Sequence, residues 1–306
     1  MRFLLPCLLL AACDRDIGIV QNLETENFSP GENRPPADLV FVVDNSPSMS
    51  EEHARLATSL DLLLGRVVES GADMRVGVVT TDMTSDDAGM FLGGMFTVED
   101  PQLSAHIAAA LDVGTYGARD EQGLASLIAA LDGRNGDFPR EEARVDAIFF
   151  SDEDDQSEGD TEDLFSALTG PLGARFRAHG VIGDMPAGCF SPDGAADPAV
   201  RYVDLIDRTD GYDESICASD YGQLLERLGL DISGIADTFP LQFIPEVATI
   251  QVTVDGVEVL TDPVDGWTYE PAPNAVVFHG ASIPGAGHRV QITYVRLSGS
   301  VVTQTP

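Results

Sequence analysis

The sequence predicts an α/β fold, a doubly wound and mostly parallel sheet flanked by helices, followed by a small all-β sandwich. Three observations carry that prediction. Apolar runs at residues 39–43, 74–79 and 147–150 have the length and β-branched content of strands buried on both faces of a parallel sheet. Between them lie segments with apolar positions at helical spacing, such as Leu56, Leu60, Leu63, Leu64 and Val67. From residue 237 onward the texture changes to period-two alternation, the mark of a sheet with one face in solvent.

In order, the pattern predicts a strand at 38–43, a helix over 51–68, a strand at 74–81 and an edge strand or hairpin at 89–98. Helices at 101–111 and 121–131, a strand at 145–150, a helix at 161–168, a strand at 175–183 and helices at 199–208 and 221–230 follow. Such alternation requires parallel strands joined by helical crossovers, and residues 38–233 suit one domain of this kind. Residues 237–306 form the β-sandwich. Asp255-Gly256 between Val-rich runs predicts a hairpin, and Trp267, Tyr269, Val277 and Phe278 are the expected core, with ligand stacking the alternative role for Trp267. Residues 13–37 are polar and Pro-containing without hydrophobic period, and read as a tether.

The first residues, a basic start, an apolar stretch and Leu10-Ala11-Ala12-Cys13, resemble a bacterial lipoprotein signal. That resemblance implies a signal peptide at 1–12, diacylation of Cys13, and an exported protein that is lipid-anchored in the cell envelope. The membrane, inner or outer, and the face, periplasmic or surface, stay open. No later stretch is apolar enough to cross a bilayer, so membrane contact would be through the lipid alone. Cys189 and Cys217 are then the two cysteines of the folded chain, and in an oxidising compartment they are expected to form a disulfide. The chain carries 51 acidic residues against 17 basic ones, all arginine, for a formal charge of −34. This balance argues against nucleic acid and anionic lipid surfaces as partners.

The chemistry concentrates where the first strand ends. In Asp44-Asn-Ser46-Pro-Ser48 one carboxylate and two hydroxyls are set two residues apart, with Pro47 fixing φ between them. These are hard oxygen ligands for a small cation, without the sulfur or imidazole that zinc favours. A helix cap is the bland alternative for all three. The motif and its strand resemble the metal-ion-dependent adhesion site of von Willebrand factor A-like domains. The resemblance implies that Asp44, Ser46 and Ser48 hold Mg2+ (or Mn2+ or Ca2+), directly or through water, and that a partner protein's exposed Asp or Glu fills the open position. It further implies that Asp152, after the strand at 147–150, belongs to the site. Thr115 is the candidate from the second loop, with Glu121 as a possible ligand in its place or, equally, a favourable charge at a helix N-terminus.

The run from Asp152 to Asp163 is the densest charge in the chain, expected as a solvated face, with a cation-stabilised loop as the alternative. The β module resembles that of exported A-domain lipoproteins of myxobacteria and their relatives. No nucleophile elbow, phosphate loop or His-Glu-x-x-His pattern is present, and His53 has no clear catalytic setting. The expectation is therefore a monomeric, surface-anchored protein that binds through a divalent cation and is not an enzyme. The alternatives are a metal-dependent phosphoester hydrolase using Asp44 and Asp152, or an envelope protein that the metal only stabilises.

Overall fold

A computed structural model describes residues 22–30, 35–234, 236–285 and 287–297. The expected signal peptide, 1–12, and Cys13 lie outside the described residues. In chain order the elements are β1 (Leu23–Phe28), β2 (Ala37–Val43), α1 (Ser50–Ser70), β3 (Met74–Thr80), β4 (Phe96–Thr97), α2 (Leu103–Leu111), α3 (Gly123–Ala130), β5 (Arg144–Phe150), α4 (Thr161–Leu172) and β6 (Phe176–Ile182). They continue with β7 (Cys189–Ser191), β8 (Gly194–Ala196), α5 (Val200–Arg208), β9 (Asp213–Ser215), α6 (Gly222–Ser233) and β10 (Thr238–Pro240). The chain closes on β11 (Gln251–Val254), β12 (Val257–Val259), β13 (Trp267–Glu270), β14 (Ala275–Phe278) and β15 (Val290–Val295).

All seven residues of β2 are buried. Because successive strand side chains point to opposite faces, the strand splits its apolar groups between two cores. Leu39, Phe41 and Val43 pack with α1, α2 and α6, whereas Val40 and Val42 pack with α3, α4 and α5. The sheet runs β4-β3-β2-β5-β6-β9, and every pair except β3 with β4 is parallel. Helices thus cover both faces, as the sequence predicts. Strand order reverses at β2, which lies between β3 and β5, and such a switch point opens a crevice at the carboxyl ends of the strands.

The segment expected to form an edge strand at 89–98 pairs only at Phe96–Thr97, opposite Arg75 and Val76. The rest is turns, one of which drops the Phe91 ring onto β3. A Cβ at Gly77 would lie 2.3 Å from that ring, so glycine is what admits it. The disulfide between Cys189 and Cys217 is present, with Cα atoms 6.1 Å apart, and ties the β7/β8 hairpin to the loop after β9.

The tether expected at 13–37 does not hold for Leu23–Phe28. This segment is a strand, β1, paired antiparallel with β15 from Leu23 opposite Val295 to Phe28 opposite Val290. The expected boundary at 237 is corrected accordingly, since the β module takes its first strand from before the α/β domain and the α/β domain is an insertion into it. Sequence pattern missed β1 because Glu24, Thr25, Glu26 and Asn27 are polar. Its pairing follows from the open edge of β15, and Phe28 alone of its side chains packs against the module's core.

The module itself is the predicted sandwich, with sheets β1-β15-β11-β12 and β10-β14-β13 enclosing Phe239, Trp267, Phe278, Ile292 and Tyr294. Trp267 is a core residue whose indole Nε1 donates to the Val259 carbonyl at 2.9 Å. Asp255 and Gly256 both have positive φ, at 50° and 80°, as a two-residue hairpin between right-twisted strands requires.

Deleting residues 1–30 should leave β15 as an unpaired edge, so limited trypsin digestion should cut faster at Arg289 and Arg296 while the α/β core stays protected. Replacing Cys189 and Cys217 together by serine should lower stability by about 3 kcal/mol, the chain-entropy value for a loop of this size, measured by urea unfolding.

Candidate functional site

Asp44 ends the central strand, and its N–H donates to the Phe150 carbonyl at 2.9 Å, which continues the ladder with β5. The side chain is fully buried. Its Oδ1 accepts the Ser46 N–H at 2.7 Å, and its Oδ2 accepts the Ser151 hydroxyl at 2.7 Å. From α1, His53 Nε2 donates to the Asp44 carbonyl at 2.7 Å, fixing the peptide as well as the carboxylate. The Ser46 and Ser48 hydroxyls lie 3.0 Å apart, and Ser48 lies beside the Asp152 carboxylate, whose pKa it lowers. The structure therefore brings Asp44, Ser46, Ser48 and Asp152 together in one pocket, buried at Asp44 and open to solvent at Ser48.

The helix-cap alternative is not realised at this turn. A 3-10 turn over Pro47–Met49 leads into α1, Met49 stands at its N-cap, and neither element receives a side-chain cap.

Glu121 sits just before α3 with its carboxylate turned inward. Its Oε2 accepts the Thr81 hydroxyl, and the carboxyl lies close enough to the Asp44 carboxylate to feel its charge. It does not cap α3. That role falls to Asp155, which accepts the Leu124 N–H at 2.9 Å, and to Ser157, which accepts the Ala125 N–H at 2.9 Å. The acidic run is thus only partly the solvated face expected of it, because Asp155 and Ser157 are buried. Thr115 is half-buried in the loop between α2 and α3, and its hydroxyl makes no hydrogen bond with Asp44, Ser46, Ser48 or Asp152. The loop is nevertheless docked on the site, since Gly117 donates to the Asn45 carbonyl at 2.9 Å and a Cβ there would lie 2.1 Å from Asn45 Oδ1.

Sequence reasoning missed Thr81 and Ser151 and left His53 without a role. The hydroxyls of Thr81 and Ser151 were findable as residues directly after predicted strands, but only the parallel register shows that they reach the same pocket. His53, the imidazole nearest the motif, is committed to a backbone carbonyl and is not a free base.

Charge pairing separates this pocket from four other buried carboxylates. Asp38 is bound by Arg140 at 2.7 Å, Asp146 by Arg144 at 2.7 Å, Asp155 by Arg201 at 2.7 Å and Glu52 by Arg55 at 2.8 Å. Among the described residues no arginine pairs with Asp44, Glu121 or Asp152. Asp152 Oδ1 and Glu121 Oε1 are buried without any hydrogen-bond partner, as is the Tyr202 hydroxyl that lies behind them. Burying a carboxylate oxygen without a donor or cation costs several kcal/mol, on the order of an unmade charged hydrogen bond. Among the described residues no three His, Cys, Asp or Glu side chains form a cage by themselves, so hydroxyls would supply part of any coordination. Carboxylates and hydroxyls with unsatisfied oxygens are a donor set that fits a hard divalent cation.

No protein-family model and no curated protein matches the sequence. Similar solved structures include the pilus adhesin SpaC from Lactobacillus rhamnosus GG in its open conformation, 16% identical over 90% of this chain and 41% of that one, TM-score 0.49. They also include a von Willebrand factor type A protein from Catenulispora acidiphila, 13% identical over 92% of this chain and 67% of that one, TM-score 0.38. The pilus adhesin RrgA from Streptococcus pneumoniae is 11% identical over 92% of this chain and 59% of that one, TM-score 0.37. This chain spans less than half the length of SpaC.

Burial, then the facing Asp44 charge, pushes the Glu121 carboxyl up from 4.5 to about 8. Burial likewise takes Asp152 from 3.8 to about 6, against the lowering effect of Ser48. The folded, metal-free protein therefore holds protons that the unfolded chain has released. Its stability should fall as pH rises from 4.5 to about 8 through the Glu121 window and from 3.8 to about 6 through that of Asp152. A cation competes with those protons, so Mg2+ should raise the melting temperature more at pH 8 than at pH 5. Thermal melts of the chelated and Mg2+-supplemented protein across that range check both statements.

Proposed function

We propose that this chain is a divalent-cation-dependent adhesion or scaffold protein, in which residues 37–234 form a von Willebrand factor A-like domain that binds a partner protein. The observation that carries the reading is the pocket at the switch point of the sheet. There Asp44, Ser46, Ser48 and Asp152 lie together, and among the described residues two buried carboxylate oxygens lack any partner and no arginine compensates them. Those four residues would hold Mg2+ (or Mn2+ or Ca2+), and a bound cation would supply a positive centre able to accept an Asp or Glu carboxylate from the partner.

The chain's own residues serve such a site by fixing its geometry. Ser151 and the Ser46 N–H orient the two oxygens of Asp44, and His53 pins its peptide. The opening lies at Ser48, and Tyr116, 98% exposed on the loop docked to Asn45, stands free for contact at the rim. Binding rather than turnover suits the pocket because its nearest histidine is already bonded. The strong negative charge excludes nucleic acid, and the proposal includes export, anchoring through Cys13 in the cell envelope and action as a monomer.

Asp44→Ala should abolish saturable binding of Mg2+ or Mn2+ to the chelator-stripped chain, measured by isothermal titration, while thiol titration and circular dichroism show the disulfide and fold intact. Unchanged heat in the variant would remove Asp44 from the site and with it this reading.

A further inference from the structure

The carboxylate of Glu121 is the least explained group in the molecule. It is 1% exposed, yet it points away from the helix it precedes and toward another carboxylate. Only one of its oxygens has a donor, Thr81, and Oε1 is buried with none. Two ionised carboxylates this close repel, and among the described residues no ion pair links a nearby arginine to them: the bonded nitrogens of those arginines go elsewhere, although Arg201 Nε and Nη2 and Arg55 Nε are buried without partners. Arg201 is held by Asp155 and by the Asp155 and Ser157 carbonyls, Arg55 by Glu52 and the Ala218 carbonyl, and His53 by the Asp44 carbonyl. The backbone also holds Glu121 in place, because its carbonyl accepts the Gln156 N–H at 2.6 Å and Gln122 donates to the Thr81 carbonyl at 3.1 Å. The inward orientation is therefore built in by the fold; a proton can relieve the repulsion between Glu121 and Asp44 in the metal-free protein, and a cation between them would replace it.

We propose, resting on the cation-site reading above, that Glu121 is a resident ligand of that cation. Its carboxylate occupies the position that an outside carboxylate would otherwise take. The consequence is a site whose default state is closed by the chain itself. With Asp44, Glu121 and Asp152 each carrying one negative charge, a divalent cation leaves the pocket with a residual negative charge. An incoming Asp or Glu is then disfavoured until Glu121 yields, and the hydroxyl of Thr81 is the place where a released Glu121 is already hydrogen-bonded. Cation binding is thereby separated from partner binding. The metal is held tightly at rest, and access for the partner is set by how readily Glu121 gives way.

The test uses the full chain, Mn2+ as probe with free ion counted by its electron paramagnetic resonance signal, and acetate as the stand-in for a partner carboxylate. Wild type should bind Mn2+ in the absence of acetate and gain nothing from it. Glu121→Gln keeps the shape and the Thr81 contact but removes the charge, and should weaken Mn2+ binding by about tenfold or more. Acetate should restore most of that loss, because it enters the vacated position. Equal Mn2+ affinity in wild type and Glu121→Gln would overturn the proposal while leaving the Asp44 site standing. A loss that acetate does not restore would overturn it too, since Glu121 would then act only through its charge. Failure of the wild type itself to bind Mn2+ would instead sink the underlying cation-site reading. Melting curves of the metal-free forms control for folding: Glu121→Gln relieves carboxylate repulsion and should melt no lower than wild type. Should it fail to fold, Glu121→Asp keeps the charge on a shorter arm, and an undiminished Mn2+ affinity in that variant would argue against direct ligation.

Discussion

The parallel register of β2 with its two neighbours is the constraint from which the rest follows. Val43 lies opposite Thr80 on one side and Phe150 on the other, so the next residues, Asp44, Thr81 and Ser151, leave the sheet at one level. A slip of one residue would turn each strand's apolar set toward the wrong core and would also scatter these polar groups. The same seven buried residues of β2 therefore hold two helical layers apart and aim a carboxylate into the crevice between them. Site and core are consequences of one pairing.

Within that frame the protein treats buried charge in two ways. Away from the crevice, Asp38, Asp146 and Asp155 each receive an arginine, and these pairs clamp the sheet and the loops beneath α3 and α5. In the crevice the carboxylates of Asp44, Glu121 and Asp152 are given hydroxyls and backbone N–H groups instead. Hydroxyls orient a carboxylate without cancelling its charge, and they leave oxygens available to an external cation. Among the described residues no arginine neutralises these groups, which leaves an electrostatic deficit at the carboxyl end of the sheet.

The β module shows the opposite economy. Its core is apolar, and it is assembled from both ends of the described chain, with β1 preceding the α/β domain and β15 following it. Two connections therefore join the parts, one before β2 and one after α6. The polar strand β1 contributes backbone pairing more than buried surface, with Glu26 accepting the Gln242 N–H at 2.9 Å and the Tyr294 hydroxyl as its side-chain anchors.

The sequence by itself determined the alternating α/β order, the β-rich end, the core position of Trp267, the cysteine pair and the Asp44-Ser46-Ser48 turn. Each rests on local information: hydrophobic period, turn chemistry, or the count of a residue type. Tertiary structure alone decided that residues 23–28 are a strand, since their pairing depends on an edge more than 260 residues away. It decided that Asp155 caps α3 while Glu121 turns inward, because two acidic residues look alike in a sequence until the position of a helix end is known. It also decided that Thr81, Ser151 and His53 meet Glu121 and Asp44. Residues from three strand ends, one helix and the segment that leads into another meet only when strand register and helix placement are fixed together, and no local pattern encodes that meeting.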